Sequence, residues 1–342
     1  MVSNLTRPPI LSSPAQSLAR EVSQSLAAAR FSAPGLATLT ILGTGAWGSA
    51  LATLASHNGH AVQLWSRRSE QSLEAAIAGA DAIVSAIPMK GVASIATKLQ
   101  QIGLPERTIV VTATKGLDPA TTRTPAQLWQ AAFPYHSIVV LSGPNLSVEI
   151  EQGLPAATVV ASSDIAAAEK VQAVFASDRF RVYTNTDPLG TELGGTLKNV
   201  IAIAAGVCDG LQLGTNAKSG LLTRALTEIV RIGVHLGADA ETFFGLSGLG
   251  DMLATCNSAL SRNYRVGYGL AQGKALNEIL TELKSTAEGV NTTNVLIDLA
   301  NREGIPVPIS RQVYRLLKGK VTPQEAVEAL MERDLKPEYC DL

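Results

Sequence analysis

The sequence predicts an α/β protein: a doubly wound parallel sheet followed by a half built of helices alone. Three observations carry that prediction. From Ala37 to about Thr184, short Val/Ile-rich runs alternate with stretches of helical spacing, the pattern of a parallel sheet covered on both faces. The first run passes through a glycine-rich turn into an alanine-rich helix start. Beyond about Pro188 no convincing strand pattern remains, and long helical stretches punctuated by Gly and Pro take over. A chain of 342 residues, 46% of them hydrophobic, is long enough for about two cores.

The elements follow in order. Residues 1–36 are rich in Ser, Ala and Pro, carry Arg7, Arg20 and Arg30 against Glu21 alone, and lack the apolar stretch of a secretory signal. They predict a flexible leader, a composition that also fits a weak transit peptide. Strands are predicted at Thr38–Leu42, Ala61–Trp65, Ala82–Ala86, Thr108–Ala113, Ser137–Leu141, Thr158–Ala161 and Arg181–Tyr183. Ala46–His57, Gly91–Gln101 and Asp164–Ala176 have the apolar spacing of helices between them. The second half predicts helices at Leu189–Ala205, Ala217–Leu236, Arg265–Gln272, Val290–Arg302 and Pro323–Met331. The chain thus divides into a leader (1–36), an α/β domain (37–186) and an all-helical domain (187–342).

Composition excludes several classes of function. A net charge of −1 and 4% aromatic residues offer neither a basic surface nor stacking platforms for nucleic acid. Cys208, Cys256 and Cys340 share no Cys-x-x-Cys spacing, so they read as reduced thiols of a cytoplasmic protein, without a disulfide framework. The four histidines show no metal-ligand pattern, and no metal is expected. No run is long and apolar enough for a membrane span.

The turn Gly43-Thr44-Gly45-Ala46-Trp47-Gly48 carries the first chemistry. In this strand–turn–helix context Gly43 permits the tight turn, Gly45 lets a pyrophosphate approach the backbone, and Gly48 lets helix and strand pack closely. The helix N-terminus at Ala46 and Trp47 supplies free N–H groups and a positive dipole end. This is the dinucleotide-binding, Rossmann-type arrangement. The second strand then ends Trp65-Ser66-Arg67-Arg68, with no acid before Glu70 to accept from ribose hydroxyls. Arg67 and Arg68 suit a 2′-phosphate, which favours NADP; NAD stays open, because arginine also stacks on adenine.

Hydride chemistry at a carbinol carbon needs a proton carrier. Lys198 is the candidate, an ammonium on the otherwise apolar stretch Gly194-Gly195-Thr196-Leu197-Lys198-Asn199-Val200, where burial would lower its pKa. The paired glycines weaken a helix, so something is expected to approach its backbone there. Lys115 follows a predicted strand, at the sheet edge where ligands bind. Asp251 and Thr255 follow a glycine-rich turn, and Ser261-Arg262-Asn263 offers a guanidinium suited to phosphate. Singly, each reads as easily as a surface charge or a helix cap; together they make a set.

In these ordered motifs, together with Ala113-Thr114-Lys115-Gly116-Leu117, Leu141-Ser142-Gly143-Pro144-Asn145, Gly248-Leu249-Gly250-Asp251 and Ala287-Glu288-Gly289, the chain resembles NAD(P)-dependent glycerol-3-phosphate dehydrogenase over roughly Thr38 to Glu338. The resemblance implies interconversion of sn-glycerol 3-phosphate and dihydroxyacetone phosphate, feeding phospholipid synthesis, by a homodimer. It implies Lys198 as general acid/base, with Lys115 near cofactor and substrate and with Asn199 and Asp251 lining the reacting centre. Thr255, Arg262 and Asn263 would hold the substrate phosphate, with Ser261 beside them. Gly143, Asn145 and Ser147 match a loop near substrate and nicotinamide; Arg262 and Glu288 match cofactor contacts. One departure stands out: Ser69–Ala80 is shorter than the segment usual there, so a strand and loop of the family's sheet are expected to be missing. Two other readings share parts of the pattern. A β-hydroxyacid or 6-phosphogluconate-type dehydrogenase has the same plan, but Arg262-Asn263 argues against it. A non-catalytic NADPH sensor leaves the Lys, Asn, Asp and Arg set unexplained.

Overall fold

The computed structural model describes Gly35, residues 37–283 and 287–335, Pro337 and Glu338. The expected leader, apart from Gly35, and Cys340 lie outside the described residues.

The first half runs β1 (Thr38–Leu42), α1 (Ala46–His57), β2 (Ala61–Trp65), α2 (Leu73–Ile77), β3 (Ala82–Ser85), α3 (Val92–Ile102), β4 (Ile109–Thr112), α4 (Pro125–Ala132), β5 (Ile138–Ser142), α5 (Ser147–Glu151), β6 (Ala156–Ala161), α6 (Ile165–Phe175) and β7 (Phe180–Asn185). All seven expected strands are present. They form one sheet, ordered β2-β1-β3-β4-β5-β6-β7. From β1 the chain moves outward to β2, then returns to β3 on the other side of β1, so the winding reverses between β1 and β3. Ligands of open α/β sheets bind beyond the strand ends at such a reversal.

Successive residues feed opposite faces of the sheet, as a two-residue period requires. Ile41 and Val84 join one core with Leu51, Val139 and Phe175, whereas Leu42 and Ile83 join the other with Leu99, Val110 and Trp129. β3 and β5 are buried along their whole lengths, which is why their sequences are continuously apolar rather than alternating.

Two details position the site. The link between β2 and β3 holds only the five-residue α2, started by Ser72, whose side chain accepts from the Ala75 N–H; the shortening expected from the sequence falls here. And β6 pairs antiparallel with β5, not parallel, with Ser142 opposite Val159. Gly143, at φ 153°, turns the chain back, and α5 is too short to cover a sheet face and carry a parallel crossover.

The second half contains α7 (Pro188–Gly210), α8 (Gly214–His235), α9 (Asp251–Cys256), α10 (Arg262–Ala271), α11 (Leu276–Leu283), α12 (Glu288–Glu303), α13 (Pro308–Leu317) and α14 (Pro323–Met331). A short π-helical turn, Leu246–Gly250, leads into α9. No strand follows β7 among the described residues. Gly206 and Gly210 read as punctuation in the sequence, yet they lie inside α7 where α10 packs across it. α7 is buried on every side from Gly190 onward, with few exceptions, because α8, α9, α10, α12 and the 246–250 turn all pack on it. The core around α7 takes in Leu193, Leu197, Ile201, Ile229, Phe243 and Val266, and also Leu117 from beyond β4. The described residues from 37 onward form one compact unit. Among the described residues no helix is long and apolar enough to cross a membrane.

Candidate active site

The turn after β1 has the form a dinucleotide needs. Gly43, at φ 116°, donates its N–H to Trp65 O at 2.8 Å, and a Cβ there would lie 2.5 Å from Ala86 O. A Cβ on Gly48 would collide with the Gly43 carbonyl oxygen, so α1 packs this closely only with glycine. Gly45 caps α1 without a side-chain bond, and no atom lies within 4 Å of where its Cβ would be. The N–H groups beginning at Ala46 and Trp47 thus open onto free space at the positive end of a helix, a fit for pyrophosphate. Arg67 and Arg68 are exposed in the turn beyond β2, on the edge strand beside β1.

The second cluster joins three elements across the two halves. α7 presents Lys198, the loop after β4 presents Lys115, and α9 begins with Asp251. Lys198 Nζ donates to Asp251 Oδ1 and, at 2.5 Å, to Thr255 Oγ1. Thr255 Oγ1 in turn donates to Asp251 Oδ1 at 3.3 Å. Lys115 Nζ donates to Asp251 Oδ2 at 2.5 Å and to Gly143 O at 3.3 Å. One carboxylate therefore bridges two ammonium groups, with the Asp251 side chain only 2% exposed and Lys198 8%. Burial lowers the Lys198 pKa to about 8; the Lys115 charge works in the same direction, and Asp251 opposes both.

What approaches the paired glycines is the protein itself. A Cβ on Gly194 would lie 2.9 Å from Ser247 O in the turn before α9. One on Gly195 would collide with Ser142 Oγ and lie 3.3 Å from Lys115 Cε. Just past Gly195, Thr196 Oγ1 accepts from the Gly116 N–H at 3.0 Å, which ties the Lys115 loop to α7.

A relay of amides lies next to Lys198. The Gly289 N–H donates to Asn263 Oδ1, and Asn263 Nδ2 donates to Asn199 Oδ1, each at 2.9 Å. A backbone N–H can only donate, so it fixes the orientation of both amides and leaves the Asn199 Nδ2 group as a donor. α10 begins at Arg262, exposed, behind Ser261, whose hydroxyl caps the helix by accepting from the Tyr264 N–H. Glu288 opens α12; burial raises its pKa, against the opposing charges of Arg262 and Lys90. Asn145 is turned toward β6, accepting from Thr158 Oγ1 at 2.9 Å, and Ser147 starts α5 just beyond. Arg67 and Arg68 stand apart from this group, at the far edge of the sheet.

Of the buried polar residues to which the sequence assigns no role, two lie near these elements. Ser142, 2% exposed, has no hydrogen-bond partner for its Oγ. Glu192, on α7, accepts from the Ala126 N–H with both carboxylate oxygens, at 2.9 and 3.2 Å. The signal for Glu192 was the one that marked Lys198, a charge on a helix with an apolar surround.

Comparison with known proteins covers the stretches that carry these residues. The family described as NAD-dependent glycerol-3-phosphate dehydrogenase matches with its N-terminal part at residues 38–73 and 68–168, and with its C-terminal part at 187–328. The chain belongs to this family. The two N-terminal pieces of the family match meet at 68–73, where the chain enters the short link between β2 and β3. A glycerol-3-phosphate dehydrogenase [NAD(P)+] of Acaryochloris marina is 69% identical over 304 residues, 89% of this chain and 98% of that protein. Its counterpart in Synechocystis is 68% identical over 303 residues, 89% of this chain and 96% of that protein. The crystal structure of glycerol-3-phosphate dehydrogenase from Coxiella burnetii superimposes with a TM-score of 0.84 at 33% identity, over 88% of this chain and all of that one.

Proposed function

We propose that the chain transfers hydride reversibly between sn-glycerol 3-phosphate and NAD(P)+, giving dihydroxyacetone phosphate and NAD(P)H, and so supplies glycerol 3-phosphate for phospholipid synthesis. The observation that carries this reading is the single buried carboxylate, Asp251, holding the Lys198 and Lys115 ammonium groups side by side. When bound, the nicotinamide supplies the hydride. The carbonyl oxygen then gains negative charge. Lys198 Nζ gives that oxygen its proton, Asp251 keeps the ammonium aimed, and the Lys115 charge stabilises the oxyanion before the proton arrives. In the reverse direction neutral Lys198 takes the hydroxyl proton. Asn199 lines the reacting centre with Asp251, while Thr255, Arg262 and Asn263, with Ser261 beside them, hold the substrate phosphate and so orient the reacting carbon; Gly143 and Asn145 close the other side.

Residues 37–186 serve as the nucleotide-binding half, and 187–342 as the substrate-binding half. Gly43, Gly45, Ala46, Trp47 and Gly48 receive the pyrophosphate. Arg67 and Arg68 take the adenine ribose and favour NADP over NAD, while Lys115, Ser147, Arg262 and Glu288 complete the cofactor side. A homodimer through the helical half belongs to this reading. Its support is an apolar groove of about 950 Å³ between α8, α13 and α14, lined by Leu221, Val313, Leu316 and Leu330. A cytoplasmic location agrees with the free, buried Cys208 and Cys256.

The test follows NADPH and NADH oxidation with dihydroxyacetone phosphate beside unphosphorylated dihydroxyacetone. Fast turnover with the phosphorylated ketone alone supports the reaction, and the cofactor ratio reads the role of Arg67 and Arg68. Dinucleotide binding without turnover overturns it.

A further inference from the structure

Ser142 ends β5 with its main chain fixed from two sides: it faces Val159 in the sheet ladder, and its carbonyl accepts from Thr158 Oγ1 at 2.9 Å. Its hydroxyl, by contrast, is buried with no partner. That hydroxyl lies 2.3 Å from the point where a Cβ on residue 195 would stand, and that point is itself 3.3 Å from Lys115 Cε and 3.6 Å from Asp251 Oδ2. Two local costs coincide there: a glycine inside a buried helix, where alanine is the better helix former, and a polar atom denied a hydrogen bond.

We infer that Ser142 is a positioning residue for the Lys115–Asp251 pair, a reading that rests on the reaction proposed above. In the structure Asp251 Oδ2 accepts from Lys115 Nζ. When the carbonyl oxygen of the substrate draws Lys115 toward itself, that buried carboxylate oxygen loses a donor. The Ser142 O–H, unpaired in the same buried corner, turns to that oxygen and takes up the bond. Asp251 then keeps its orientation and its hold on Lys198, and Lys115 is free to serve the oxyanion. The glycine at 195 is the opening in α7 that admits this hydroxyl.

Steady-state reduction of dihydroxyacetone phosphate by NADPH, with the full chain, tests the inference in four proteins: wild type, Ser142→Ala, Gly195→Ala and the double variant. Ser142→Ala should lower kcat about 10- to 100-fold with both KM values within about twofold, the size of effect that misplacing a catalytic group produces. In the double variant the methyl introduced by Gly195→Ala fills the volume the hydroxyl leaves, so thermal stability returns toward wild type while kcat stays low. Where Ser142→Ala proves too unstable to assay, the double variant supplies the kinetic readout. Wild-type kcat in Ser142→Ala, or recovery of kcat in the double variant, makes Ser142 a packing residue only and overturns the inference. A wild type without turnover on this substrate overturns the parent reading, and this one with it.

Discussion

Lys198 shows how far one residue can be read ahead of its surroundings. An ammonium on an apolar helix announced itself in the sequence; that Asp251, 53 residues later, would share it with Lys115 did not. Type and order name the members of such a cluster, but only the fold names their partners. With the Lys198 pKa held at about 8 by burial, the ketone-reducing direction needs the protonated form and should lose rate as pH rises through that value. The alcohol-oxidising direction needs the neutral form and should gain rate over the same range, so kcat/KM profiles in the two directions should mirror each other. Parallel profiles would remove Lys198 from proton transfer. Lys198→Ala should cost about 10²- to 10⁴-fold in kcat while NADPH affinity, measured by fluorescence titration, changes little.

Among the elements, the strands were the most legible, because runs buried on both faces must be continuously apolar. Helix ends were the least: α7 runs through Gly206 and Gly210, and α10 begins at Arg262 rather than Arg265. α4 was passed over although its start is written in Thr124-Pro125-Ala126-Gln127, a capping box in which the Thr124 and Gln127 side chains each accept from the other's N–H. The remaining N–H, of Ala126, goes to Glu192, a pairing no local pattern could announce. Burial lifts the Glu192 pKa to about 8 from an ordinary 4.5. The folded chain thus holds a proton that the unfolded chain releases, and stability should fall as pH rises between those values, by an amount on the order of a few kcal/mol. Glu192→Gln should flatten that part of the stability-versus-pH curve in denaturant titrations; an unchanged slope would show that Glu192 is ionised throughout. At the start of α10, Arg262→Ala should raise KM for dihydroxyacetone phosphate about 10- to 100-fold, the loss of a charged hydrogen-bonded contact, and leave the unphosphorylated ketone unaffected.

At the scale of the whole molecule, the reversal of winding between β1 and β3 brings the glycine turn to the carboxyl ends of the parallel strands, the side from which Lys115 also emerges. The alternation of elements foretold that much; the antiparallel β6 it did not, since a strand's direction is set by the length and content of the link before it. Leu117 in the helical core, Thr196 on Gly116 and Glu192 on α4 bind the two halves together. Calorimetry of residues 36–342 should therefore show one cooperative transition, and two resolved transitions would mean these ties are weak. α7 has a further consequence. A surface helix tolerates change on one stripe and resists it on the other, but a helix enclosed on all sides has no tolerant stripe. Saturation mutagenesis across 190–210 should return an unbroken block of intolerance, with no 3.6-residue rhythm, as if evolution had been left a single spelling for the helix that carries the proton.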